Sequence, residues 1–186
     1  MSTDTLVYIC FLNGYAPSWS DRLIARVAES IRHPIRQCHL KLDVERSYAR
    51  NRRQYHATLM IAQLLRELPS ANAKVIGITS LDLFIPVLTF VFGQSQLEGP
   101  AAVVSTHRLQ AEYYGLPSDP DRLVERAAKE VIHELGHAFG LVHCREYHCV
   151  MRASTYVEEI DLKSAYFCDF CAVDLALKME RTERTA

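Results

Sequence analysis

Short apolar segments and amphipathic segments alternate along the first half of the chain. Residues 6–12 form a β-branched and aromatic run, which predicts a buried strand that ends at a turn. From Leu23 to Ile31 the apolar residues recur at helical spacing, and Ser18 or Ser20 is the expected N-cap of this helix. A second helix is predicted through residues 59–65.

Further strands follow from the same pattern. Residues 35–42 alternate between apolar and polar side chains, as a half-exposed strand does. Residues 75–79 read as a central strand that is covered on both sides, and residues 88–92 and 101–105 read as two more. Strands interleaved with two helices predict an α/β layer with a mixed sheet.

The clearest helical pattern follows Asp119-Pro120, an acidic cap with proline in the first turn. At about 100° per residue, its apolar positions share one face, whereas His133 and His137 project from the opposite face. Gly140 is the expected left-handed residue that ends the helix and lets the chain turn back.

The next histidine completes a metal-binding pattern. His133, His137 and His143 follow the spacing HExxHxxGxxH, and the second position is Glu134. Zinc binds neutral imidazole nitrogens at about 2.0–2.1 Å, and three protein ligands leave a fourth position for water. Glu134 lies beside the first histidine, where it can accept a proton from that water and pass it to a leaving amine. The pattern therefore predicts a catalytic zinc site of the protease kind.

Four cysteines in the last quarter of the chain form a second candidate site. They are a C-x4-C pair, Cys144 and Cys149, and a C-x-x-C pair, Cys168 and Cys171. In a reducing compartment such pairs favour metal binding over disulfides. Four thiolates make a closed tetrahedral site, which cross-links the chain and has no open position for catalysis. An iron–sulfur cluster, or His148 in place of one cysteine, are alternatives.

Composition and charge exclude several functions. The 186 residues suffice for one domain with a proper core, and the net charge of -1 gives no field that attracts nucleic acid or an anionic membrane. The basic cluster within residues 46–53 is interpreted as a solvated helix face. No apolar run approaches the roughly 20 residues of a membrane span. The first 14 residues lack the features of a signal peptide, so we expect a cytoplasmic protein. Cys10 and Cys38 are expected to be buried core thiols.

The sequence HExxHxxGxxH followed by a methionine is the metzincin signature. Because Cys144 follows the third histidine directly and Met151 comes two residues after Cys149, the arrangement resembles the archaemetzincins, small intracellular zinc peptidases. Segments 77–83, 90–93 and 103–109 also resemble that family, so the similarity covers most of the chain.

The resemblance implies roles for these residues. His133, His137 and His143 would hold a catalytic zinc, and Glu134 would act as the general base and acid. Met151 would form the Met-turn, an apolar floor under the imidazoles. A second, structural zinc would be held by the four thiolates of Cys144, Cys149, Cys168 and Cys171.

The resemblance also implies an architecture. We expect a zincin-like α/β fold of metzincin type, with a twisted mixed sheet, an active-site helix and a small zinc-stapled C-terminal lobe. Residues 1–186 would form a single catalytic domain. Its upper subdomain, residues 1–140, would carry the sheet and the active-site helix. Its lower subdomain, residues 141–186, would carry the Met-turn, the four-cysteine site and a final helix over residues 172–179.

Other side chains after the Met-turn are weaker candidates. The phenol of Tyr156 or Tyr166 could stabilise an oxyanion, although simple packing is the plainer interpretation. Glu158, Glu159 and Asp161 could anchor the free amine of a substrate, as an aminopeptidase requires, although a solvated acidic loop is the plainer interpretation.

The predicted function is zinc-dependent hydrolysis of a peptide bond in a peptide or small protein. The alternative is a zinc protein of the same fold with little or no turnover, which binds a peptide or a partner. Glu134 favours the enzyme, because a binding module has no use for a base at that position.

Overall fold

A computed structural model describes residues 6–70 and 72–185, with side chains up to residue 181, and shows a mixed α/β fold. Its strands are, in chain order, β1 (Val7–Leu12), β2 (Ile35–Leu40), β3 (Tyr48–Ala49), β4 (Gln54–His56), β5 (Lys74–Thr79), β6 (Leu83–Phe84), β7 (Gly93–Ser95) and β8 (Ala101–Ser105). Its α-helices are α1 (Ser20–Ile31), α2 (Ala57–Leu64), α3 (Pro120–Ala138), α4 (Val157–Leu162) and α5 (Asp169–Thr185). Short 3-10 turns cover Val44–Ser47, His107–Leu109 and Ala111–Tyr114.

The main sheet has the strand order β2-β1-β5-β8-β7. Its first four strands are parallel, and β7 pairs antiparallel to β8 at one edge. A small second sheet has the order β3-β4-β6. The predicted strands over residues 6–12, 35–42, 75–79 and 101–105 are thus confirmed, and β5 is the central, fully buried one.

Alternate side chains of the central strands serve two separate cores. Ile76 and Ile78 of β5 pack in the cluster that contains α1 and α3, whereas Val75 packs in the cluster that contains α2. The sheet therefore has helices on both faces, which explains why β5 and β8 read as continuous apolar runs. In the described residues, no helix combines the length and apolar character that crossing a membrane requires.

Local interactions fix both ends of α3. The side chain of Asp119 accepts a hydrogen bond from the backbone N–H of Arg122 at 3.0 Å, as expected of an N-cap. At the other end Gly140 takes a φ of 97°, in the left-handed region. The ammonium of Lys74 donates to the carbonyl of Ala138 at 2.9 Å, which places a cation at the negative end of the helix dipole. Both ends of the helix that carries His133 and His137 are thus fixed by polar contacts.

Two predictions about local structure are wrong because other hydrogen bonds replace those that the patterns predict. Neither Ser18 nor Ser20 caps α1. Ser20 is already its first residue, and the turn before it is closed by the Ser20 N–H and the Pro17 carbonyl. The predicted strand over residues 88–92 is irregular backbone with a single isolated bridge between Val91 and Leu83, and β7 starts only at Gly93. The carbonyls of residues 88 and 89 bind the Arg52 guanidinium instead of a neighbouring strand.

The acidic segment after the Met-turn is a helix and not the solvated loop that was expected. The carboxylate of Glu159 accepts hydrogen bonds from the backbone N–H groups of Thr155 at 2.5 Å and Tyr156 at 3.1 Å, so it caps the first turn of α4. The final helix, α5, is longer than the predicted residues 172–179, since it begins at Asp169.

Cys10 and Cys38 are joined by a disulfide, so the prediction of separate core thiols is wrong. The two residues lie directly opposite each other in the β1–β2 pair, with their Cα atoms 4.3 Å apart. The pairing depends on the register between the two strands, which the local sequence of neither strand reveals. The division of residues 1–186 into an upper and a lower subdomain stays a prediction, and residues 1–5, 71 and 186 lie outside the described part of the chain.

Candidate metal centres

The three predicted histidines meet at one point. Their potential ligand atoms all lie within 4.8 Å of one another, and Nε2 of His133 is 3.1 Å from Nε2 of His137. Ligands at about 2.0–2.1 Å in a tetrahedron are separated by about 3.4 Å, so this spacing suits one zinc ion. His133 is buried, whereas His143 is exposed at the rim. The cluster is therefore open on the side of His143.

Backbone carbonyls orient two of the imidazoles. Nδ1 of His133 lies 2.8 Å from the carbonyl oxygen of Val150, and Nδ1 of His137 lies 2.8 Å from that of Leu141. A carbonyl only accepts, so both Nδ1 atoms carry the proton and each Nε2 keeps its lone pair. Burial lowers the pKa of all three histidines, which keeps them in the neutral form that binds metal.

Glu134 is buried beside the histidines, and a glycine makes room for it. A Cβ atom at Gly93, the first residue of β7, would lie 2.6 Å from Oε1 of Glu134. Burial raises the pKa of Glu134 well above its usual range, and the charge of Glu130 raises it further, whereas the charge of Lys163 lowers it. The carboxylate is thus packed against the edge strand with charged groups on one side of it.

A cleft of about 470 Å³ opens onto this cluster. The walls of the cleft come from residues 85–92, strand β7, helix α3 and residues 153–155. The first of these walls is mainly apolar, while the last contains the hydroxyl of Ser154, which is buried and hydrogen-bonded to no other described group. A peptide in the cleft would therefore meet an apolar wall on one side and polar groups on the other.

The four cysteines form a second cluster next to the first. Their sulfur atoms lie within 4.8 Å of one another, and those of Cys144 and Cys168 are 3.8 Å apart. Four thiolates at about 2.3 Å from a zinc ion in a tetrahedron are separated by about 3.8 Å, so the spacing fits. All four are free of disulfides, and Cys149 and Cys171 are buried.

Backbone N–H groups point at this cluster as well. The N–H of Glu146 donates to the sulfur of Cys144, and the N–H of Cys168 donates to that of Cys149, each at 3.4 Å. Burial raises the pKa of Cys149 and Cys171, and the neighbouring thiols raise that of Cys171 further. For Cys168 hydrogen bonds outweigh burial and lower the pKa.

Met151 lies directly beneath the active-site helix. It is fully buried, and a Cβ atom at Gly136 would collide with its sulfur and lie 3.0 Å from its Cε atom. The glycine between the two histidines of α3 is therefore what lets the methionine approach. The backbone N–H of Cys144 donates to the Met151 carbonyl at 3.0 Å, which ties the methionine to the cysteine cluster.

Several proteins with known names are similar to this chain in sequence. The model of "Peptidase family M54" matches residues 26–177. The chain belongs to this family. It is 42% identical to the archaemetzincin of Methanocaldococcus jannaschii over 125 residues, which are 67% of this chain and 68% of that protein. It is also 42% identical to the archaemetzincin of Methanopyrus kandleri over 137 residues, 74% of each.

Solved structures of archaemetzincins have the same fold. The crystal structure of the Methanopyrus kandleri protein superposes with a TM-score of 0.83 at 37% identity, covering 96% of this chain and 97% of that one. A zinc-dependent peptidase from Methanocorpusculum labreanum gives a TM-score of 0.79 at 27% identity, covering 91% and 99%. The predicted resemblance is confirmed, and the chain is a metallopeptidase of this family.

Several weaker candidates lie away from the archaemetzincin cleft. Tyr156 is exposed and does not line it, and the hydroxyl of Tyr166 accepts a hydrogen bond from Arg26 at 2.9 Å on another surface. Among the described residues, the second group of potential metal ligands consists of the four cysteines. It does not include His148, which is exposed beside Tyr147.

The acidic candidates are also engaged elsewhere. Glu159 caps α4, and the carboxylate of Asp161 makes a two-pronged salt bridge with Arg126 at 2.7 and 2.6 Å. Glu158 is exposed, and none of the three lines the cleft. Sequence reasoning instead missed Glu130, which does line it and whose only signal is its position one turn before Glu134.

Proposed function

We propose that this chain hydrolyses peptide bonds at the three-histidine cluster, with His133, His137 and His143 as zinc ligands and Glu134 as general base and acid. The observation that supports this most is the convergence of the three imidazoles beside a buried carboxylate at the floor of a cleft. The donor set fits zinc in type and spacing.

Each residue of the site has a separate task. His133 and His137 are held as neutral imidazoles by their Nδ1–H bonds to backbone carbonyls. Zinc bound to them would lower the pKa of a water ligand to about 7 and polarise the scissile carbonyl. Glu134 would accept the proton of the attacking water at its carboxylate and return it to the nitrogen of the leaving amine.

The edge strand β7 offers a place for the substrate backbone. One side of β7 pairs with β8, and its three residues Gly93, Gln94 and Ser95 line the cleft. An extended peptide can add to such a free edge as a further strand.

We also propose that the four cysteines hold a structural zinc, which gives two zinc ions per chain. Cys144 follows the ligand His143 in the sequence, so this second ion would hold the loop that carries the third histidine. This ion would join the loop after α3 to the start of α5. That link supports the proposed division into an upper part with the sheet and a lower part with the cysteine site.

The test compares the zinc-loaded wild type with Glu134→Gln on a peptide library, with the new termini mapped by mass spectrometry. We expect the variant to lose activity by about 10²- to 10⁴-fold, the usual contribution of a general base, with unchanged zinc content. Equal cleavage by the two proteins would contradict the proposal. Absence of cleavage by both, with zinc bound and peptides retained, would favour the binding protein as the alternative function.

A further inference from the structure

Residues 150–152 present consecutive carbonyl groups to three different partners. The first carbonyl accepts from Nδ1 of His133 at 2.8 Å, and the second accepts from the backbone N–H of Cys144 at 3.0 Å. The third accepts from the ammonium of Lys163 at 3.3 Å. The Met-turn segment is thus tied to the histidine cluster, to the cysteine cluster and to one lysine.

Lys163 is an unusual residue to find at this place, because its side chain is only 1% exposed. Its ammonium lies 2.9 Å from Oε1 of Glu130, whose side chain is 5% exposed, although the contact lacks the angles of a hydrogen bond. Burying two charges costs several kcal/mol per ion before their attraction is counted, so the pair is weak as a source of stability. A different role has to account for it.

The position of Glu130 suggests that role. Glu130 lies on α3 one turn before Glu134, and it lines the catalytic cleft together with His133. Lys163 therefore connects the active-site helix, through Glu130, to the third carbonyl of the Met-turn segment. The first carbonyl of the same segment sets the tautomer and orientation of His133.

We propose that Lys163 is a positioning residue for the catalytic metal ligands, because its bridge between Glu130 and the Arg152 carbonyl holds the Met-turn segment against α3. The idea rests on the proposed roles of the three histidines. In this proposal Lys163 sets the distance between α3 and the Val150 carbonyl, which orients His133. Loss of the bridge would leave the cysteine cluster intact and loosen the histidine cluster.

A neighbouring salt bridge provides a matched comparison. Arg126 lies one turn before Glu130 on α3 and binds Asp161, which lies two residues before Lys163. Arg126 also donates to the carbonyl of Leu109 at 2.9 Å, and its hydrogen bonds in the described part of the chain go to Leu109 and Asp161 and not to residues 150–152. The two pairs thus join the same two segments of the chain, but only the Lys163 pair reaches the Met-turn.

The experiment compares three variants with the wild type: Lys163→Met, Lys163→Met/Glu130→Met and the control Arg126→Met/Asp161→Leu. The first leaves a buried carboxylate without its cation, so its stability suffers for that reason alone. The double variant removes both charges at similar volume, which is often neutral for stability. Co²⁺ is the probe, because only the cysteine site gives a thiolate-to-cobalt charge-transfer band and the two sites can be titrated separately.

We expect the double variant to unfold near the wild-type midpoint yet to bind Co²⁺ at the histidine site about 10-fold more weakly, in line with the loss of outer-shell support. Binding at the cysteine site should be unchanged. In peptide cleavage kcat should fall by a larger factor than KM rises, because the metal ligands shift while Glu130 is one of several residues that line the cleft. The control pair should bind Co²⁺ at both sites like the wild type.

Three results would overturn the proposal. One is wild-type Co²⁺ affinity at the histidine site in the double variant. Another is an equal loss at both sites, or in the control pair, which would show a general effect on folding. The third is a double variant that fails to fold while the control folds, since the lysine pair would then be a folding element. The Co²⁺ titrations need no turnover, so they stand even if the peptidase assignment fails.

Discussion

The histidine and cysteine clusters are neighbours in the chain and both are compact, yet they differ in the number and chemical type of their ligands. Both place their ligand atoms within 4.8 Å of one another. Two of the histidines come from a rigid helix, and the third is exposed at its end. The cysteines come from a loop and the start of α5, and two of them are buried. The number and chemical type of the ligands thus separate a candidate catalytic site, in which three histidines leave a position open, from a structural one with four thiolates.

The largest expected effect comes from removing one thiolate. Structural zinc contributes about 10–16 kcal/mol of apparent binding energy in small domains, and Cys171 is 4% exposed within its cluster. We expect Cys171→Ser to lose the fold of residues 141–185 and, because Cys144 adjoins His143, to lose both metal ions. His143→Ala should lose one ion and keep its fold. Metal analysis measures the number of bound ions, and limited proteolysis measures the loss of the fold. A Cys171→Ser protein that keeps two zinc ions would contradict the proposed difference between the clusters.

The next largest effect concerns the contact between Gly136 and Met151 beneath the histidine cluster. A methyl group at Gly136 would meet the sulfur of Met151, so we expect Gly136→Ala to cost about 1–3 kcal/mol of stability, as overpacking does. The catalytic metal should also bind more weakly, while the cysteine cluster keeps its ion. Chemical denaturation measures the first effect.

The control for Gly136→Ala is Met151→Ala, alone and combined with it. If the collision is the cause, the double variant will be no less stable than Met151→Ala alone, so that the two costs are not additive. Additive costs would show that Gly136 acts through something other than the methionine.

A smaller effect is expected on the cleft side of the histidine cluster. A Cβ atom at Gly93 would lie 2.6–2.9 Å from three atoms of Glu134, so Gly93→Ala should displace the carboxylate. A displacement of about 1 Å can cost about 10²-fold in rate. We expect kcat/KM to fall by about 10- to 100-fold with zinc content unchanged. Ser95→Ala on the same edge strand is the control, and an equal loss in it would point to substrate binding along β7 instead.

The site was predictable from the sequence because its parts are local. Helix α3 has its cap, its period and its final glycine within one stretch, and the ligands follow from metal chemistry at fixed spacing. The same holds for the two cysteine pairs, although their convergence on one point depends on how the chain folds after Met151. Strands β1, β5 and β8 were predictable for the same reason, since each is a continuous apolar run.

What the sequence did not reveal depends on contacts between distant segments. The bond between Cys10 and Cys38 follows from the register of β1 against β2. The predicted strand over residues 88–92 does not form, and the guanidinium of the distant Arg52 binds the carbonyls of residues 88 and 89 instead. The charge of Lys163 is buried only because Glu130 lies opposite, which no pattern within residues 157–163 indicates.

The smallest expected effect is a difference in the number of protons that the two clusters release when they bind zinc. Burial lowers the pKa of the three histidines, so at pH 7 they are already neutral and the metal displaces few protons. Burial raises the pKa of Cys149 and Cys171, so these thiols are protonated at pH 7 and must each give up a proton. The affinity of the cysteine cluster should therefore fall more steeply than that of the histidine cluster as the pH is lowered from about 8 to about 7, a change of up to about one decade per displaced proton.

Calorimetry of zinc binding in two buffers of different ionisation enthalpy measures the release of protons, and His143→Ala isolates the cysteine cluster. Equal proton release at the two clusters would mean that burial does not shift the pKa values of the histidines and cysteines in opposite directions. The two clusters would then differ only in the geometry and number of their ligands.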